Sequence, residues 1–459
     1  MEIIFLSILL VIALVGVLSS RSSRFSLKDY FLTSHTLSPW LAGISAMATN
    51  NSGYMFIGLI GFTFINGISS LWLMLGWIMG DLLITHFIYP PLLKVAHHSD
   101  NVTYASIIAE WAKNKSLIKP IAMISFIFLI IYASAQLAAS GKTLMVVMGW
   151  DFVWGVLIGG IIVILYTISG GIRASIWTDS IQAIIMTASL IILLIFAVNG
   201  LGGIDTIVAK WQKIDGFLKL FPDNDSTLIY QFFSSLSWII AGIFVISQPH
   251  IVVRFLSLKE TVDLKSARHY YYFGYIIFYS LAFMAGMIAR VYFNDNILFD
   301  PELALPMMAV ELLNPFMLGL IVAGIFAATM STADSMIINC SGNIGIDLMG
   351  LKNYAKNKIK LITLIIAVSA ILIALIDNAN VFSVVVFSWT VLGFIFTPVI
   401  IMIALSRKIT LKHFYVCSLL ALLIFCIKTE FNYFNDIYSG LPPFIFSLLY
   451  YQLLLKKSN

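Results

Sequence analysis

The sequence predicts an all-α membrane protein of about 13 transmembrane helices around a five-plus-five inverted-repeat core. Three observations predict it. Hydrophobic residues make up 60% of the chain and charged residues 11%, with a mean hydropathy of +0.97, whereas soluble domains run about 45–50% apolar and about 25% charged. Apolar stretches long enough to cross about 30 Å of hydrocarbon recur along the whole length. Two of them are interrupted by small and polar residues at matching positions of two five-span groups, the signature of inverted repeats.

The apolar stretches lie near 3–19, 38–65, 70–91, 119–148, 152–169, 177–199, 228–248, 270–292, 313–344, 359–376, 380–404, 411–428 and 441–455. The first follows Met1-Glu2-Ile3 with no basic segment before it, so it reads as a retained span rather than a cleaved signal peptide. No block between spans has the composition of a soluble domain. Residues 1–459 therefore form one transmembrane domain: a first span and loop (1–37), a first repeat (38–199), a second repeat (228–404) and two C-terminal spans (411–459).

Thirteen spans put the termini on opposite sides, and Lys and Arg assign the sides. One set of alternate loops carries Arg21, Arg24 and Lys28, then Lys94, Lys113, Lys115 and Lys119, then Arg173, then Arg254, Lys259, Lys265 and Arg268. It continues with Lys352, Lys356, Lys358 and Lys360, with Arg407, Lys408 and Lys412, and with Lys456 and Lys457. The other side has mainly Lys210, Lys213 and Lys219 among Asp205, Asp215, Asp223 and Asp225. This places the N-terminus outside and the C-terminus in the cytoplasm of a plasma (inner) membrane. The net charge of +5 is thus loop lysine and not a nucleic-acid surface. The connections 200–227 and 94–118 read as helices lying on the membrane surface. Cys340, Cys417 and Cys426 all fall in apolar segments, which argues against a disulfide framework.

The second span contains Thr49-Asn50-Asn51-Ser52-Gly53 at mid-depth, and the seventh ends its apolar run in Ser247-Gln248-Pro249-His250. Backbone unwound there frees carbonyls and amides that hydrocarbon cannot satisfy, so they must face a cavity, a solute or an ion. The ninth span holds a further polar knot, Gly324 to Ser335. On a helix Ala328, Ser331, Thr332, Ser335 and Asn339 share one face, with Asp334 at its edge. A carboxylate at bilayer depth costs about 2.5–3.5 kcal/mol even on the lenient insertion scale, which marks a candidate ion site.

Five stretches together resemble the sodium/solute symporter family, most closely its sodium/proline branch. They are Asp29-Tyr30-Phe31-Leu32, Ser45-Ala46-Met47-Ala48 through Ser52-Gly53, Gly170-Gly171-Ile172-Arg173 through Trp177-Thr178-Asp179, Gln248-Pro249-His250 with Arg254-Phe255, and Ala327 to Ser335. The resemblance implies a leucine-transporter-like fold and sodium-coupled import of a small organic solute, an amino acid such as proline or a small carboxylate, by alternating access. It implies a sodium ion held by the carbonyls of Ala48, Asn51 and Ala328 and the hydroxyls of Ser331 and Thr332. A hard cation ringed by neutral oxygens is bound weakly enough to be released, whereas several carboxylates would suit calcium better. Resemblance to some members implies a second cation at Asp179, Ser331, Asp334 and Ser335; alternatively one Asp is protonated or paired with Arg173 or Arg254. Proline symporters carry an aspartate at the position of Asn50, a tryptophan at Tyr54 and aromatic residues at Ala241 and Val245, so this pocket departs from theirs.

The candidate solute residues are Asn50, Asn51, Ser52, Gly53, Tyr54, Gln136, Ala241, Gly242 and Val245. Gln136 either reaches the cavity or makes an interhelical hydrogen bond. Trp77 and Trp389 are lids over the solute or packing residues. Lys142 reads as a side chain snorkelling to the surface, and Asp81 as a buried group against a polar partner. His86, His97 and His98 have no metal-ligand partners at useful spacing, and phosphate loops and nucleophile elbows are missing. These features exclude an enzyme and any organic cofactor, leaving Na+, the solute and the lipid bilayer as partners. Two other readings stand beside sodium symport: a proton-coupled symporter using Asp179 and Asp334, and a solute sensor without net transport. The latter is disfavoured because the sequence stops at Asn459 without an output domain.

Overall fold

The computed structural model describes residues 1–19, 26–221, 227–293, 299–352, 355–376, 380–431 and 436–454. Arg21, Arg24, Asp223, Asp225, Lys456 and Lys457 lie outside the described residues. The described residues fold into helices joined by short turns, with one isolated bridge between Leu37 and Leu258. Among the described residues ten helical runs are long and apolar enough to cross a membrane. The difference from thirteen stretches has three causes. Half of the second stretch is continuous with the third in the run Tyr54–Phe87, the fifth and sixth merge in Phe152–Gly200, and Leu441–Leu454 is only 14 residues long.

The merged helix Phe152–Gly200 shows how glycine replaces a loop. Its 49 residues would extend about 73 Å if straight, far more than one bilayer. At Gly171 the backbone turns to φ 57°, ψ −141°, and a Cβ there would sit 2.6 Å from the Tyr30 carbonyl oxygen. Only glycine fits this joint. Elsewhere helices start on capping side chains: Asp151 accepts from the Val153 amide, Asn314 from Met317 ahead of Pro315, and Asn380 from Ser383.

The first helix, Glu2–Ser19, buries only Phe5, Leu9, Ile12 and Gly16, a stripe at helical spacing. Phe5 meets Phe326 edge-on at 4.9 Å. Ile3, Leu6, Leu10, Leu14 and Leu18 of that helix are exposed, as lipid-facing side chains should be. At the other extreme, Pro315–Gly342 is buried on nearly all sides, packed between Phe152–Gly200 and Ile118–Met148. The polar knot read from sequence therefore occupies the centre of the bundle.

One of the two connections expected to be surface helices is instead buried. Tyr104–Trp111 begins with a Thr103–Ser106 capping box, and Tyr104 to Ala109 are buried, with the Tyr104 hydroxyl donating to the Ile246 carbonyl at 2.7 Å. Apolar residues on several sides of that short helix draw it into the protein. In the 200–227 connection Ile204–Trp211 is a helix of which only Ile207 is buried, and Trp211 donates its indole N–H to the Met287 carbonyl at 2.8 Å.

Candidate functional site

Both interruptions read from the sequence are present. Pro39–Asn50 ends where Asn51 takes φ −84°, ψ 65°, and the chain resumes as a π-helical turn, Tyr54–Leu59. The second runs from Trp238–Ile243 through a 3-10 turn, Phe244–Ser247, to an extended Gln248 and then Pro249–Leu256. Pro249 lacks an N–H and fits the first turn of the new helix. At the first break Gln136 accepts the Gly53 amide at 2.9 Å, and a Cβ on Gly53 would lie 2.5 Å from Thr329 Cγ2. Gln136 thus both bonds between helices and reaches the break.

The unwound backbone is met by the ninth-span face. Ser331 Oγ donates to the Ala48 carbonyl at 3.1 Å and Thr332 Oγ1 to the Thr49 carbonyl at 2.9 Å. Both hydroxyls also lie against the Ala328 carbonyl, at 3.0 and 3.3 Å. Ala48, Asn51, Ala328, Ser331 and Thr332 are fully buried. The Asn51 side chain is buried with both polar atoms unpartnered, as are Gln136 Nε2, Trp77 Nε1 and Gln248 Oε1. Buried polar atoms without partners are uncommon. Such atoms also occur elsewhere in the bundle, but Asn51 and Gln136 lie at the first break, Gln248 at the second, and Trp77 beside the first.

One helical turn further along, Asp179 and Asp334 share a cluster with an arginine. Asp179 Oδ2 accepts from Ser45 Oγ at 2.6 Å, Thr49 Oγ1 at 3.3 Å and Arg254 NH2 at 3.0 Å. Asp334 Oδ1 accepts from Ser175 Oγ at 3.1 Å and Ser335 Oγ at 2.6 Å. Arg254 also donates to Ser175 at 2.9 Å, to Ser45 at 3.2 Å, to Ser335 and to the His250 carbonyl. Arg254 is therefore fully buried and not the loop cation the charge count made it. Of the two arginines weighed as partners, Arg254 takes Asp179, while Arg173 pairs with Asp29 at 2.6 Å. A guanidinium stands among the groups read as a second cation site.

An aromatic group flanks the first break. The Tyr54 ring stacks on Phe382 at 5.4 Å and meets Trp77 at 5.6 Å; Trp77 lies 5.0 Å from Trp389. Trp389 donates to the Ala241 carbonyl at 2.8 Å, so Trp77 and Trp389 bridge the two interrupted segments. Val245 lies in the 3-10 turn, where its carbonyl accepts the Gln248 amide at 3.0 Å. Gly242 points elsewhere: a Cβ there would be 2.0 Å from the Trp77 carbonyl oxygen, so it serves a helix contact. Asn50 donates its amide to Tyr271 Oη at 2.6 Å.

One further reading changes, that of Lys142, while Asp81 is buried against polar partners as expected. Lys142 does not snorkel; it is buried and bonded to Glu302 at 2.8 Å, with Asp300 at 3.6 Å. Asp81 is buried and accepts from Tyr271 Oη at 2.5 Å and Tyr272 Oη at 3.1 Å. Ser45, Ser175 and Thr329 lie in the stretches that carry the family resemblance without a role assigned there, and Tyr271 lies outside them. Tyr271, Tyr275 and Tyr279 recur at four-residue spacing, a stripe that was available as a signal.

The sodium:solute symporter family matches residues 30–412. The chain belongs to that family. This symporter is similar to the osmoregulated proline transporter OpuE of Bacillus subtilis, 27% identical over 92% of this chain and 88% of the relative. It resembles sodium/proline symporter 2 of Staphylococcus saprophyticus, 29% identical over 87% and 80%, and the sodium/proline symporter of Escherichia coli, 27% identical over 94% and 88%. Its fold is similar to that of a Na+-coupled sialic acid symporter in a substrate-bound outward-open state, with a TM-score of 0.82 at 19% identity over 100% and 99% of the two chains. MHP1, a nucleobase-cation-symport-1 family transporter, is similar at a TM-score of 0.58 and 13% identity over 92% and 93%. The chain is thus an integral membrane protein of leucine-transporter-like fold, a sodium-coupled solute symporter rather than an enzyme, with Na+ as its co-transported ion.

Proposed function

We propose that this symporter imports a small amino acid, proline or a close analogue, and that sodium binds where Ser331 and Thr332 meet the first break. The single observation behind this is the pair of contacts from Ser331 to the Ala48 carbonyl and from Thr332 to the Thr49 carbonyl, 3.1 and 2.9 Å. Oxygens so spaced can converge on one hard cation of calcium-like size, whose oxygen distances are about 2.3–2.6 Å. The ligands are the carbonyls of Ala48, Asn51 and Ala328 and the hydroxyls of Ser331 and Thr332. Sodium there ties Pro39–Asn50 to Pro315–Gly342 and favours the state that accepts solute. Coupling is then a difference in affinity between two states, to which an inside-negative potential adds about 2.3 kcal/mol per charge per 100 mV.

The solute lies against Asn50 to Tyr54, Gln136, Ala241 and Val245. The rings of Tyr54, Trp77 and Trp389 suit an apolar solute, while at the break the Gly53 amide is held by Gln136 and the Tyr54 amide by Ser52 Oγ. The named relatives are proline transporters, while Asn50, Ala241 and Val245 differ from the residues expected in a proline pocket, so the preferred amino acid need not be proline itself. Residues 38–199 and 228–404 are the two inverted halves. The N-terminus lies outside and the C-terminus in the cytoplasm of the plasma (inner) membrane. At the second cluster, Asp179, Ser331, Asp334 and Ser335, the Arg254 guanidinium supplies the cation in this conformation, so a second sodium ion or a proton would compete with it.

The test is uptake of radiolabelled proline into proteoliposomes with and without an inward sodium gradient, with a panel of amino acids and carboxylates as competitors. Wild type accumulates label only with the gradient, and Ser331→Ala with Thr332→Ala lowers apparent sodium affinity at least tenfold, since each removes a cation ligand. A sodium response unchanged by both substitutions would refute this site.

A further inference from the structure

One buried carboxylate has no part in the sodium or arginine clusters. Asp81, in the helix Leu71–Phe87, is fully buried, and its two oxygens accept from Tyr271 and Tyr272 of the helix Asp263–Phe293. Among the described residues it has no salt-bridge partner. A lone carboxylate at this depth is costly and in membrane proteins is a functional candidate by default.

What makes Asp81 informative is where its hydrogen bonds lead. A tyrosine hydroxyl has one hydrogen, and that of Tyr271 goes to Asp81 Oδ2. Toward Asn50 the same oxygen can therefore only accept, which fixes Asn50 with Nδ2 on Tyr271 and Oδ1 as the amide end not spent there. The bonds run one way, from Asn50 through Tyr271 to Asp81, at 2.6 and 2.5 Å. Asn50 is the last helical residue before the break, between the Thr49 carbonyl that meets Thr332 and the unpartnered Asn51 side chain.

We propose that Asp81 is a positioning residue for the sodium and solute site, acting through Tyr271 to hold the Asn50 amide with its oxygen available at the break. This rests on the reading of that break as the sodium and solute site. With Asp81 ionised the relay has one polarity, and the negative end of the Asn50 dipole favours a cation. With Asp81 neutral its new O–H can donate to Tyr271, the relay can reverse, and Asn50 can turn its N–H₂ to the break instead. Sodium affinity therefore falls when Asp81 takes up a proton. The titratable groups facing Asp81 are Tyr271, Tyr272 and Tyr275 from Asp263–Phe293 and Tyr89 from Tyr89–His97. Trp238–Ile243 and Phe244–Ser247 contribute none; on the helix of Asp81 itself His86 is exposed and bonded to Arg268 at 3.1 Å.

The test reads sodium alone, without any solute. Sodium-dependent thermal stabilisation of the purified full chain, with choline replacing sodium, gives an apparent Kd at pH 5 to 9. At alkaline pH, Asp81→Asn should bind sodium about fivefold or more weakly than wild type, the lower end of ordinary coupling between sites. That ratio should shrink toward one as pH falls, because wild-type Asp81 then resembles the variant, while every other titratable group is common to both proteins. Tyr271→Phe, which keeps the carboxylate but cuts the relay, should weaken sodium similarly and decides the matter if Asp81→Asn does not fold. In an Asn50→Ala background, Asp81→Asn should have no further effect. A ratio of one at every pH, or a ratio that does not change with pH, overturns the inference and leaves the sodium site standing. No sodium stabilisation of wild type at any pH would overturn both.

Discussion

His35 is a single side chain whose protonation state the fold has chosen. It precedes Pro39–Asn50, outside the spans, and donates Nδ1–H to the Leu256 carbonyl at 2.8 Å, while Nε2 is buried without a partner. Its ring lies 4.7 Å from that of His97. Burial pushes its pKa down to about 4 against the pull of the Leu256 carbonyl, with His97 and Lys28 adding to the depression. A folded-state value below the unfolded value of about 6.5 means the folded state prefers the neutral ring. The resulting stability is complete above about pH 6.5 and is lost as pH falls toward 4. Thermal unfolding of wild type in detergent should therefore drop across that window, and His35→Gln should drop less. Parallel curves for the two proteins would show that His35 does not carry the effect. Arg254 is the contrasting case, a charge kept in the interior because Asp179 and four other oxygens surround it.

At the scale of elements, much of the architecture was legible because bilayer thickness imposes a length and the helix imposes a period. Thr49 to Gly53 and Gln248-Pro249 announced the two interruptions, and the Ala328, Ser331, Thr332 stripe announced the face that meets the first. What could not be read was pairing between elements. Asp81 with Tyr271, Gln136 with Gly53, and Asp179 with Arg254 join residues 75 or more positions apart, and no local pattern specifies such partners. Arg254 did leave a sign, since Ile251-Val252-Val253 before it and Phe255-Leu256 after it are apolar. Gly242 was read as part of a pocket, whereas it is half of a close contact. Gly76 and Gly80 present a small-residue face to Trp238–Ile243, and a Cβ on Gly80 would lie 2.0 Å from the Ile239 carbonyl oxygen. Small residues at this spacing let two backbones touch. Gly242→Ala must push the helices apart, because the obstacle is the Trp77 carbonyl and not a movable side chain. Overpacking of this kind costs about 1–3 kcal/mol or more, so the variant should melt several degrees below wild type. Gly159→Ala, whose Cβ would have Ser140 Oγ at 3.4 Å, serves as the control. Equal melting of the two would show that the contact yields.

Across the whole molecule, one carboxylate fastens three elements at the end of the bundle that the proposed orientation puts outside. Glu302, in the turn Pro301–Leu303, accepts from Lys142 of Ile118–Met148 at 2.8 Å. It also accepts from the Val381 and Phe382 amides at 3.1 and 2.7 Å, at the N-terminus of Val381–Ala404, where a helix dipole favours an anion. Phe382 in turn stacks on Tyr54 and Phe62, so the fastening reaches the aromatic cover of the first break. Removing one member of a buried ion pair strands the other, at a cost of about 3–5 kcal/mol, whereas replacing both with apolar side chains is often neutral. Glu302→Gln should therefore lower the melting temperature strongly, and Lys142→Met with Glu302→Gln should recover most of the loss. The recovered protein lacks the ionic clasp between Ile118–Met148 and the start of Val381–Ala404, so its outer end should open more readily. A cysteine placed at Phe62 should then react faster with a membrane-impermeant thiol reagent in the double variant than in the parent chain. Recovery of stability without faster labelling would assign the clasp to folding alone and leave the closing of the outer end to the aromatic stack.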